Sequence, residues 1–244
     1  MPRFFVSDEN IEQSSVCITG DDAWHIARSL RMAVGESITV CDTNGIVYEC
    51  TLTKITDDEV TASIEKSEPA KTESPVRVTL YQALPKGDKM DFIVQKSVEE
   101  GVCAIVPFFS ERCVSRPDEK ALEKKCARWQ RIALEAAKQC GRGIIPKICK
   151  PLCFSQMLSE AAKASLGCFC YEGEGTESIK NILQSKDGVS DISLVVGSEG
   201  GFSEKEAAAA KESGLCMTAL GRRILRAESA PGFALACISY QFEL

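Results

Sequence analysis

A chain of 244 residues that is 44% hydrophobic can bury a sizeable core, so it reads as a globular protein of one large or two modest domains. No stretch reaches the ~18 apolar residues of a membrane span, and Met1-Pro2-Arg3-Phe4-Phe5-Val6-Ser7 runs into acidic residues without a sustained apolar segment, so a cytoplasmic protein is expected. Thirteen cysteines scattered through apolar segments read as reduced thiols, and a single histidine, His25, with only Cys149 and Cys153 approaching a paired spacing, argues against a metal centre and against a Ser-His-Asp hydrolase.

The formal charge of -6 is unevenly spread. Arg112 to Lys150 holds 11 Lys+Arg against 4 Asp+Glu, a local +7 that leaves -13 for the rest. Such a segment can bind phosphate locally while the remainder repels it.

In chain order, the first seventy residues read as short strands: Arg3 to Ser7, Ser14 to Thr19, Ser37 to Asp42, Ile46 to Lys54 and Glu59 to Glu65. Asn44-Gly45 supplies a hairpin turn between two of them. Asp21 and Asp22 open one helix, Ala23 to Arg31, stopped before Gly35. The result is a small barrel with one helix. His25 on that helix favours burial or a structural hydrogen bond, with contact to RNA or a partner chain as the alternative.

The polar, proline-bracketed run Ser67 to Pro75 marks a boundary, giving a domain over 1–70 and a second over 75–244. Beyond it, strands at Arg77 to Leu84, Val102 to Pro107, Leu166 to Tyr171, Ile192 to Val196 and Leu215 to Leu220 are mostly separated by helical segments, which predicts an α/β domain with a mostly parallel sheet. One helix buries Met90, Ile93, Val94, Ser97 and Val98, from Asp88 as N-cap to Gly101. A second buries Trp129, Ile132, Ala133, Ala136, Ala137 and Cys140 and turns Lys124, Arg128, Arg131, Glu135, Lys138 and Arg142 outward, either as a solvated face or as an RNA contact.

Two turns carry chemistry. After the strand Ile192 to Val196 comes Gly197-Ser198-Glu199-Gly200-Gly201-Phe202, then a Ser203/Glu206 capping box. Glycines let backbone amides approach a ligand, yet this turn matches neither a dinucleotide loop nor a P-loop. The second, Leu220-Gly221-Arg222-Arg223-Ile224-Leu225-Arg226-Ala227-Glu228-Ser229-Ala230, suits a loop offering aliphatic atoms to a flat ring and cations to an anion, or else a basic turn before a helix starting at Glu228 or Ser229.

These two segments resemble the signatures of the RsmE family of SPOUT methyltransferases, as do Ala83 to Asp91, Pro107 to Arg112, Arg128 to Ile132 and Glu135 to Arg142. The chain departs from that pattern at Ser198, usually proline, at Ser229, usually threonine, and at Trp24-His25, where relatives often carry two histidines. The resemblance implies a trefoil-knotted, mostly parallel sheet with flanking helices, preceded by a PUA-like β-barrel that binds RNA. It implies S-adenosyl-L-methionine held by Tyr171, Glu172, Val196, Gly197, Glu199, Gly200, Gly201, Leu220, Gly221, Ile224, Leu225 and Arg226. The implied reaction is methylation of N3 of a uridine in 16S ribosomal RNA, free or in the small subunit, by a homodimer whose sites use both chains.

In-line methyl transfer from a sulfonium requires alignment and no metal. Candidate catalytic groups are Glu199 or Glu228 for removing the N3 proton and Arg226 for stabilising the resulting charge. Each has an architectural alternative: Glu228 at a helix start, Arg226 as its ion-pair partner, Glu199 as an acceptor for backbone amides. Lys86, Lys89, Arg112, Arg128, Arg131 and Arg142 are the expected phosphate contacts. Methylation of another RNA site, and RNA binding without catalysis, remain alternatives.

Overall fold

Alternating apolar and polar residues build the first sheet from β1 (Arg3–Phe5), β2 (Ser15–Thr19), β3 (Ser37–Cys41), β4 (Ile46–Ile55) and β5 (Glu59–Pro69). Their order is β1-β3-β4-β5-β2, antiparallel except for the β1–β3 pair. The computed structural model describes residues 1–186 and 188–244. It forms two compact units, Met1–Glu73 with Ala137–Ile145, and Ser74–Ala136 with Pro146–Leu244.

In the first unit the inward positions Phe4, Val16, Ile18, Ile38, Val40, Leu52 and Val60 share one core with Ile26. The hairpin falls at Asn44-Gly45 as expected: Gly45 has φ +81°, and the Asp42 carboxylate accepts the Asn44 and Ile46 amides, each at 2.8 Å. Strand β5 runs on to Pro69, into the polar run, because pairing with the long β4 overrides composition; proline is tolerated at its end.

The helix begins earlier than its pattern suggests, as α1 (Gly20–Trp24), and continues as a π-helical turn over His25–Ser29. That turn buries Ile26 and leaves His25 exposed, so the expected burial of His25 is corrected: Ala23 and Ile26, three residues apart, are the buried positions, and His25 is not one of them.

Arg142 overturns a second expectation. It belongs to this unit, only 3% exposed, and pairs with Glu73, which also accepts the Gly143 amide at 3.0 Å. A guanidinium held there is a structural anchor rather than a phosphate contact. Sequence periodicity places it on the cationic stripe, but the helix ends at Cys140 and the glycine turn redirects it.

The second unit is built on β6 (Arg77–Ala83), β7 (Ala104–Phe109), β8 (Lys147–Ile148), β9 (Leu152–Cys153), β10 (Leu166–Cys170), β11 (Glu177–Ser178), β12 (Asp191–Val196) and β13 (Cys216–Ala219). The sheet order is β11-β13-β10-β12-β6-β7-β8, with β9 also on β7, and every pair is parallel. Around it lie α2 (Lys89–Glu99), α3 (Glu119–Cys140), α4 (Phe154–Ala161), α5 (Ile179–Gln184), α6 (Glu204–Glu212) and α7 (Ala230–Phe242). With helices on the sheet, β6, β10 and β12 are almost continuously buried, as parallel strands require.

Helix α2 buries the five residues its spacing indicated. The order matters for the site: β13 lies beyond β10 from β12, and the chain then returns so that α7 packs on α2, α5 and β12. Both turns beside α7 are therefore brought to the same end of the sheet.

Candidate active site

Because the strands are parallel, the segments leaving β10, β12 and β13 emerge on one side, the usual place for a ligand in an α/β sheet. They enclose a cleft of about 690 Å³. Its wall includes Tyr171 and Glu172 after β10, the glycine turn from Gly197 to Phe202 after β12, and the whole of Leu220 to Ala227 after β13. Every residue assigned to the cofactor from sequence lies on this wall.

The glycine turn is fastened from three directions. Gln82 of β6 donates from Nε2 to the Gly197 carbonyl at 3.1 Å. The Ser203/Glu206 capping box forms as its spacing indicated, and the Glu206 carboxylate also accepts the Glu111 amide at 2.8 Å. Arg112 donates to the Gly200 carbonyl at 3.1 Å. Gly201 adopts φ +61° and closes the turn by donating to the Ser198 carbonyl at 2.9 Å. Phe202 tucks beneath, its ring 4.2 Å from that of Phe169.

The arginine turn starts at Gly221, φ +110°, and ends where the Arg226 carbonyl accepts the Ser229 and Ala230 amides at 2.9 and 3.0 Å. Ile224 is 79% exposed and lines the cleft, so an apolar side chain is presented there to any ligand.

Between the turns stands Lys89, the first residue of α2. Its Nζ lies 2.9 Å from Glu199 Oε1 and 3.2 Å from Glu228 Oε2. The Lys86 amide donates to both Glu199 oxygens, at 3.1 and 3.3 Å. Burial pushes the Glu199 carboxyl up, but Lys89 and the backbone amides outweigh it and hold it below the ordinary value. Glu228 is lowered by its own backbone amide first and then by Lys89 and Arg226, burial opposing. Both carboxylates raise the Lys89 pKa, so the ammonium stays charged.

Of the three catalytic candidates, Arg226 and Glu199 line the cleft, and Glu228 pairs with Lys89 through a buried oxygen. Among the expected phosphate contacts, Lys89 and Arg112 are on the cleft wall, Lys86 and Arg131 are exposed, and Arg128 is exposed but paired with Asp91. Sequence reading missed Cys170, Thr218 and Ala219, whose only signal was their place at strand ends. Burial pushes the Cys170 thiol far above its usual range, which disfavours the thiolate form.

A parallel sheet with a cleft walled by a glycine turn and an arginine turn, together with a small antiparallel sheet, is the arrangement that the resemblance to SPOUT methyltransferases implies. Residues 72–239 match the family described as RNA methyltransferase domain, and residues 18–65 that described as RNA methyltransferase PUA domain. The chain belongs to the ribosomal RNA small subunit methyltransferase E family. It is 34% identical to the protein of that name from Bacillus subtilis, over 100% of this chain and 98% of the relative, and 33% identical to the one from Synechocystis, over 99% and 78%. Among solved structures, a ribosomal RNA small subunit methyltransferase E from Neisseria gonorrhoeae bound to S-adenosyl methionine superposes with a TM-score of 0.88 at 33% identity, covering 99% of this chain and 98% of that one.

Proposed function

We propose that the protein methylates N3 of a uridine in 16S ribosomal RNA, using S-adenosyl-L-methionine bound in the cleft. The observation that carries this reading is that the glycine turn and the arginine turn wall one cleft, of a size suited to a nucleotide-like ligand. The residues present fit that ligand. The Ser198 hydroxyl is buried on the cleft wall without a hydrogen-bond partner, and the glycines keep the wall free of side chains where backbone groups would meet it. Tyr171, Glu172, Val196, Gly197, Glu199, Gly200, Gly201, Leu220, Gly221, Ile224, Leu225 and Arg226 would hold it. When bound it supplies a methyl group already activated on a sulfonium.

The chain's own task is to align the acceptor nitrogen and move its proton. Glu199, ionised at neutral pH, is the candidate acceptor for the N3 proton. Arg226, exposed beside the cleft, is positioned to meet negative charge on the uracil oxygens. Arg131, Arg112 and Lys86 offer phosphate contacts, and the PUA-type unit offers an RNA surface. A ribosomal RNA substrate supports a cytoplasmic location.

The functional particle is a homodimer. Helix α7, Ala-Pro-Gly-Phe-Ala-Leu-Ala-Cys-Ile-Ser-Tyr-Gln-Phe, is apolar nearly all round, and beyond its buried face it exposes Phe233 and Tyr240, while the adjacent α2 exposes Phe92. A helix with that pattern is ordinarily covered on both sides.

The decisive experiment incubates the protein with radiolabelled S-adenosyl-L-methionine and small subunits lacking the modification, then identifies the labelled nucleoside. Label in 3-methyluridine is the expected result. Label in another nucleoside overturns the atom assignment, and RNA binding without transfer overturns catalysis.

A further inference from the structure

We propose that Lys89 is a catalytic residue which hands its positive charge from Glu199 to a uracil carbonyl oxygen as N3 loses its proton, while Glu228 holds it in place. The inference rests on the uridine-methylation reading and assigns a role which that reading leaves open.

An ammonium has three donors. The Lys89 Nζ lies at ion-pair distance from Glu199 Oε1 and Glu228 Oε2, 2.9 and 3.2 Å, and the residue lines the cleft that Glu199 also lines. Glu228 is not on the cleft wall. The two carboxylates are therefore unequal: Glu199 lines the cleft, whereas the Glu228 oxygen paired with Lys89 is buried. Lys89 opens α2, on a rigid helix packed against α7, whereas Arg226 rides an exposed turn.

A surface phosphate contact has no need of two carboxylate partners. A shared cation does. Uracil N3 bears a proton, and its removal spreads the electron pair onto O2 and O4. The N3–H bond breaks and the proton passes to Glu199, which becomes neutral and no longer needs the lysine. Lys89, kept charged by Glu228, then faces the uracil oxygen where charge has appeared. N3 forms its bond to the methyl carbon as the carbon–sulfur bond breaks, and sulfur keeps that pair as a neutral thioether. An ion-paired carboxylate is a weak proton acceptor in isolation, and this transfer of the cation offsets that weakness. The other charged or titratable groups lining the same cleft are Arg222, Arg223 and Arg226 of the arginine turn, Arg112 after β7, Glu204 at the start of α6, and Cys170, Tyr171 and Glu172 at the end of β10.

The test compares full-length wild type with Lys89→Gln and Lys89→Arg on small subunits carrying uridine or 5-fluorouridine at the target, the latter having a more acidic N3–H. Turnover of Lys89→Gln on uridine is expected to fall on the order of 100-fold, as for loss of one oxyanion donor. Cofactor and RNA dissociation constants, measured by calorimetry and filter binding, should stay within about threefold of wild type. 5-Fluorouridine should restore the variant at least about tenfold more than it accelerates wild type, because less anion stabilisation is then needed. Lys89→Arg should retain intermediate turnover. Equal acceleration of both proteins, unchanged turnover, or a loss accounted for by weaker RNA binding overturns the proposal. Should Lys89→Gln misfold by circular dichroism, Lys89→Arg carries the same substrate comparison. Failure of wild type to methylate either substrate is a separate outcome: it overturns the function itself, Lys89's role with it.

Discussion

A Cβ added to Gly200 would lie 2.9 Å from the Arg112 Cβ and 3.3 Å from its carbonyl oxygen, so the glycine turn and the segment after β7 are fitted backbone to backbone. Gly200→Ala must push them apart at the point where Arg112 donates to the Gly200 carbonyl. Overpacking of this kind costs ~1–3 kcal/mol. Because the displaced atoms form the cleft wall, we expect the dissociation constant for S-adenosyl-L-methionine, measured by calorimetry, to rise about tenfold for a loss of ~1.4 kcal/mol. Unaltered binding would show that the ligand does not rest on this turn.

Arg142 and Arg131 should separate structure from recognition. Arg142 is buried against Glu73, and removing one partner of a buried pair costs ~3–5 kcal/mol. Arg142→Ala should therefore lower the denaturant midpoint sharply. Arg131 is exposed on α3; Arg131→Ala should leave stability within about 0.5 kcal/mol and reduce the slope of log affinity for RNA against log salt by about 1.

The parallel sheet, the capping box and the α2 face were legible in the amino-acid order, because each rests on local periodicity or on a motif at fixed spacing, whereas the residues of the cleft wall came from the family resemblance. Met90, Ile93, Val94, Ser97 and Val98 declare their stripe within one helix. What stayed hidden depends on partners distant in sequence. Glu73 meets Arg142 across 69 residues, and Glu199 meets the Lys86 amide across 113. Strands β8, β9 and β11 have two residues each, too few for any period to show. His25 was misjudged because the expectation rested on how often a lone histidine is packed, whereas Ala23 and Ile26 take the buried positions of this short helix. An exposed His25 predicts that His25→Ala changes the urea midpoint by an amount equivalent to less than about 0.5 kcal/mol; a larger loss would restore a structural role.

The carboxylates at Lys89 make stability depend on pH with a defined sign. In the folded protein Glu199 and Glu228 are both held below the ordinary glutamate pKa. A depressed carboxylate stabilises the fold above its unfolded pKa, and that contribution is lost as pH falls through the folded pKa. The urea midpoint should accordingly drop as pH is taken from about 5 downward through the carboxylate range, and the drop should shrink in Glu199→Gln/Glu228→Gln protein. An identical acid profile in that variant would show that the two groups titrate normally in the folded protein.

The exposed side of α7 provides the last test. Phe233 is 41% and Tyr240 76% exposed on a helix whose other face already buries Ala234, Leu235 and Ile238. If a second copy covers the exposed side, Tyr240→Asp places a charge where association removes water, a penalty of several kcal/mol against the dimer. Sedimentation equilibrium should then show wild type as a dimer and Tyr240→Asp as a monomer at micromolar concentration, with unchanged circular dichroism. A substitution at Arg131, on a different helix, should leave the dimer intact. Dimers persisting in Tyr240→Asp, or a monomeric wild type, would remove α7 from any interface.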